Sequence, residues 1–74
     1  MNELGKRMRR DRLRDKASLR SRAAELGTQA SRLSRMERGT EPVPAWMLER
    51  LPAEYRELWL NDAIKRDQAR REGA

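Results

Sequence analysis

Apolar residues recur along this chain at helical spacing from its first turn. Leu4, Met8 and a position at 11 or 12 lie three or four residues apart, and Leu13 and Ala17 continue the side expected to be buried. Lys6, Arg7, Arg9, Arg10 and Arg14 crowd the remaining surface. The pattern predicts a first helix over 2–16. Ser18 is the expected N-cap of a second helix, in which Ala23, Ala24 and Leu26 supply small and apolar packing positions and Gly27 ends the helix in the left-handed conformation. A third helix follows at once: Thr28 or Gln29 caps it, Leu33 and Met36 turn its apolar side inward, and Gly39 stops it. Its outer arc, Ala30, Ser31, Arg32, Ser34, Arg35 and Arg38, is small, hydrogen-bonding and cationic, with no acid among its members. A helix surfaced in this way suits contact with nucleic acid.

Residues 40–44 form the one turn-rich stretch, because Pro42 and Pro44 exclude a continuous helix. Pro44 is placed to begin a short fourth helix over 45–51, where Trp46, Met47, Leu48 and Leu51 are expected to close the core. A lone Trp in an apolar run is read as core and not as a base-stacking aromatic. After Pro52, strong helix formers run from 53 to about 69 without Gly or Pro. Tyr55, Leu58, Trp59, Leu60, Ala63 and Ile64 spread over an arc of about 240°, wider than one core requires. Beyond Ile64 almost nothing is apolar, which predicts fraying or a solvated tail. The expected fold is all-α, a compact bundle of about five short helices built around a helix-turn-helix. Residues 1–51 form its core and 52–74 add a C-terminal helix and tail on the same domain.

The run from Gly27 to Gly39, with the buried aliphatic at Leu33 and the ending Arg35, Met36, Glu37, Arg38, Gly39, resembles the second half of the helix-turn-helix in Cro/C1-type (XRE) DNA-binding proteins, the group of lambdoid-phage repressors and Cro. Leu4, Gly5, Met8, Arg12, Leu13, Ala17, Ser18, Ala23 and Leu26 fall in register upstream without a gap, so the resemblance covers roughly residues 4–51. It implies a lambda-repressor-like domain whose third helix enters the major groove. The positions matching the family's base readers are Ala30, Ser31, Arg32 and Arg35, and Arg10, Ser18, Gln29, Ser34 and Arg38 are expected on phosphates. The resemblance further implies an ion pair between Arg12 and Glu37. The chain departs from the family at Leu19, where a DNA-contacting Gln is usual, at Arg22, where a buried Leu is usual, and at Lys16, where Gly is common.

Charge strengthens this reading through its distribution. Residues 1–39 hold 12 basic and 5 acidic groups, net +7, and residues 40–74 hold 6 basic and 7 acidic, net −1. The positive field therefore belongs to the half that carries the motif, where it would attract phosphates. With 74 residues, no Cys and no His, the chain lacks thiol nucleophiles, disulfides, zinc-finger ligands and imidazole chemistry. Its carboxylates are scattered and no Gly-rich phosphate loop follows a strand, so neither an enzyme nor a metal or cofactor site is expected. The longest apolar run, Ala45 to Leu48, is too short for a membrane span, and a cytoplasmic location is expected.

These readings converge on a sequence-specific regulator of double-stranded DNA, a small phage or mobile-element repressor. It would bind an inverted-repeat operator as a homodimer through Leu60, Ala63 and Ile64. The alternative is a helical antitoxin or antirepressor that grips a protein partner through the wide apolar helix.

Overall fold

The computed structural model describes residues 3–72, with the side chain of Glu72 left out of the description. Four α-helices and one 3₁₀ helix follow in order: α1 (Glu3–Arg14), α2 (Leu19–Leu26), α3 (Ala30–Arg38), the 3₁₀ helix (Ala45–Arg50) and α4 (Tyr55–Glu72). No strand occurs among the described residues. This is the expected small all-α bundle. Leu4, Met8, Ala23, Leu26, Leu33, Met36, Val43, Met47 and Tyr55 form its core, with Leu19, Leu51, Leu58 and Trp59 packed against it.

Helix α1 is shorter than its predicted span: it ends at Arg14, and Asn2 lies outside the described residues. Lys16 takes φ 56°, the left-handed conformation that stops the helix, although a Cβ disfavours it. Leu13 is exposed, against expectation. Leu4, Met8 and Arg12 follow one another at four-residue steps, whereas Leu13 is turned about 140° from Met8 around the helix. The buried stripe of α1 therefore passes through Arg12. At its other end α1 crosses α3 so closely that a Cβ on Gly5 would overlap the carbonyl oxygen of Met36 and stand 3.0 Å from that of Glu37. Only glycine allows that approach.

Helices α2 and α3 close in the same way. Gly27 at φ 77° and Gly39 at φ 80° are left-handed. Thr28 N–H and Gly27 N–H donate to the carbonyls of Ala23 and Ala24, and Thr40 N–H and Gly39 N–H to those of Arg35 and Met36. Ser18 begins α2 as expected, its Oγ accepting from Ser21 N at 3.0 Å. Of the two residues that depart from the family pattern in α2, Leu19 packs on the core. Arg22 stays partly exposed and pairs with Asp15 at 2.7 Å, a hydrogen bond that holds the Asp15 carboxyl below its usual range.

The segment 45–51 corrects a prediction. Its residues Ala45–Arg50 form a 3₁₀ helix with Leu51 as C-cap, in which Met47 is fully buried while Trp46 is 47% exposed. Met47 faces the core, and its neighbour Trp46 faces solvent. Arg50 lies over the Trp46 ring, 5.8 Å from its centroid, and donates from Nη1 to the last carbonyl of α2, that of Leu26, at 3.2 Å. Helix α4 begins at Tyr55 and packs on α1 through its first half. Trp59 Nε1 donates to Val43 O at 2.6 Å. The end expected to fray or to form a solvated tail is solvated but helical, continuing to Glu72 with Lys65 to Arg71 exposed. No Gly or Pro interrupts it, and Arg71 pairs with Asp67 one turn back at 3.2 Å.

Candidate nucleic-acid interface

The site is built outward from two buried residues of α3. Leu33 and Met36 are fully buried, which leaves Ser31, Arg32, Arg35 and Arg38 exposed and Ala30 and Ser34 at the margin. The nine residues of α3 thus rest on the core along one side and present the other to solvent. Glu37 falls on the inner side. It is the one acid of α3, and it is neutralised there: Arg12 Nε donates to Glu37 Oε2 at 2.8 Å and Arg12 Nη2 to Oε1 at 3.0 Å. Only 11% of the Arg12 side chain and 4% of the Glu37 side chain are exposed. The third arm, Nη1, donates to Ala17 O at 3.0 Å, so one guanidinium ties α1 to α3 and to the loop that leads into α2. These bonds raise the Arg12 pKa, the Glu37 hydrogen bond contributing most. The pair that the family resemblance implies is present.

Around α3 the other expected phosphate contacts are distributed unevenly. Ser34 and Arg38 border a depression with Arg9, Arg12, Leu19 and Glu37, next to the N-terminus of α2 where Ser18 is exposed. Arg12 is paired with Glu37 there, and Arg9 and Arg38 are the further cations beside this helix N-terminus, where an anion would be attracted. Arg10 lines an adjacent depression with Lys6, Arg9, Leu13 and Glu37, so Arg9, which the sequence reading did not assign to phosphate, borders both depressions. Gln29 occupies the N-cap of α3 with extended backbone and makes no capping bond through its side chain. Its amide is exposed beside Ala30.

One residue at this surface was not foreseen. The outer arc contains no acid of its own, but the loop after α3 brings Glu41 against it. Arg32 Nε donates to Glu41 Oε1 and Arg35 Nε to Glu41 Oε2, each at 3.2 Å. Helical periodicity carried no sign of this, because Glu41 lies beyond the end of α3 and the Gly39 turn folds it back. Asp62 was missed for a similar reason. Buried in α4, it accepts from Leu4 N–H at 3.2 Å and so caps the N-terminus of α1 across the molecule.

Comparison of the chain with protein-family models, with curated proteins and with solved structures gave no match. A functional reading therefore rests on the residues themselves. Among the described residues no group of acids could hold a metal ion, and no helix is long and apolar enough to cross a membrane.

Proposed function

We propose that this chain is a sequence-specific, double-stranded DNA-binding regulator of the Cro/C1 helix-turn-helix type, acting as a small repressor that occupies an inverted-repeat operator. The observation that supports it best is the presentation of α3: its apolar side is sealed by Leu33 and Met36, its acid is neutralised by Arg12, and a small, basic surface faces solvent. A helix of this length fits the major groove. In that pose Arg32 and Arg35 meet guanine O6 and N7, Ser31 donates or accepts at a base edge, and Ala30 lies against a thymine methyl. Ser18, Gln29, Ser34 and Arg38, together with Arg10 or its neighbour Arg9, fix the register on phosphates.

Selection from a randomised duplex pool, followed by titration of variants on the selected site, tests this reading. Arg32→Ala and Arg35→Ala should each cost about 1–3 kcal/mol on the selected site and relax one position of it. Arg38→Ala should weaken all duplexes alike. If both reader substitutions weaken every sequence equally, α3 does not read bases.

A second reading, a helical antitoxin or antirepressor acting on a protein partner, draws on the exposure of Leu60, Ile64 and Trp46. It predicts no preferred sequence in the same selection.

A further inference from the structure

The two arginines assigned to base reading share a single carboxylate. Glu41 is 25% exposed, less than the 44% and 47% of Arg32 and Arg35 that it bridges. Its position is set from both sides. Upstream, Thr40 donates to Arg35 O from its backbone N–H at 3.0 Å and from Oγ1 at 3.2 Å. Downstream, Pro42 restricts the chain and Val43 is buried in the core. The carboxylate is thus aimed at the arginines by a short loop anchored at both ends.

Both contacts use Nε, one edge of each guanidinium. Arginine has five N–H donors, so the remaining donors of each group can still form a bidentate contact with guanine while Nε stays on Glu41. A phosphate in the same place is treated differently. Guanine O6 and N7 are neutral acceptors, whereas a phosphate carries a full negative charge that the adjacent carboxylate repels. Resting on the DNA-reading proposal above, we infer that Glu41 is a specificity-determining residue. It orients Arg32 and Arg35 for guanine and weakens their attraction to phosphate, lowering non-specific binding more than binding to the operator.

The test compares wild type, Glu41→Gln and Glu49→Gln on a selected duplex and on a random duplex over a salt series. Glu49 is exposed in the 3₁₀ helix, so its substitution removes the same net charge without touching either arginine. Relative to Glu49→Gln, Glu41→Gln should bind random duplex about threefold to tenfold more tightly, with a salt dependence steeper by up to about one unit of slope. Its ratio of specific to random affinity should fall by a similar factor. Unchanged helical circular dichroism confirms that the fold is intact. If Glu41→Gln matches Glu49→Gln, raises both affinities equally, or weakens both, Glu41 does not discriminate and only this inference falls. A wild type that selects no sequence overturns the DNA-reading proposal and this inference with it.

Discussion

At residue scale, the pair of Arg12 and Glu37 shows how a charge can belong to a core. Arg12 falls on the buried stripe of α1 and Glu37 on the buried side of α3, so neither can be solvated fully, and each needs the other. Such a pair adds little net stability, but removing one partner leaves an unpaired charge in a poorly solvated place. Glu37→Ala should therefore destabilise the domain by about 3 kcal/mol, a large share of what a chain this small can hold. Glu49→Ala, at an exposed site, is the control and should change stability by less than about 0.5 kcal/mol. Urea titration followed by circular dichroism measures both, and equal midpoints would show that the pair has no structural role. The pairing was legible only through the family resemblance, since an Arg among apolar neighbours and a Glu near a helix end carry no sign of one another.

At the scale of elements, the hairpin of α2 and α3 was readable because its signals are local. Ser18, Gly27 and Gly39 each act on backbone within a few residues, and each takes the cap or left-handed conformation expected of it. The start of α1 is different. Its capping acceptor is Asp62, 58 residues away on α4, so the first and last helices are held by a contact that no local pattern announces. Asp62→Ala should cost about 1–2 kcal/mol, the value of a lost N-cap, and Asp62→Asn should retain most of that because its amide oxygen can still accept. The same denaturant titration reads both. A smaller loss for Ala than for Asn would show that α1 is capped by other means. The 3₁₀ helix was misread for a related reason: its apolar run shows that the segment packs, but the packing of the whole core decides that Met47 faces in and Trp46 out.

At the scale of the whole molecule, α4 presents two apolar sides. Tyr55, Leu58 and Trp59 face the domain's own core, while Leu60 and Ile64, one turn apart, are 53% and 55% exposed and Ala63 lies partly covered between the two sides. A second copy of the chain is the occupant that the proposed function calls for. One recognition helix reads too few base pairs for specificity, and a two-fold contact would set two such helices about 34 Å apart along the duplex. A dimer of this kind predicts that Leu60→Glu combined with Ile64→Glu yields a folded monomer at tens of micromolar, where wild type sediments as a dimer. Sedimentation equilibrium decides between them: a monomeric wild type, or a variant that dimerises equally well, would place the interface elsewhere.

Taken by itself, the sequence determined what acts over short chain distances or through periodicity: the all-helical class, the helix stops at Gly27 and Gly39, the inward side of α3, and the concentration of positive charge in residues 1–39. Hydrophobic spacing and cap chemistry suffice for these because backbone geometry is nearly the same wherever a helix is built. The tertiary structure decided what depends on how helices cross and where loops return. It set the close approach at Gly5, the outward turn of Trp46, the capping of α1 by Asp62, and the placement of Glu41 between Arg32 and Arg35. These contacts join residues through space across turns or between elements, and their geometry is settled only when the core packs.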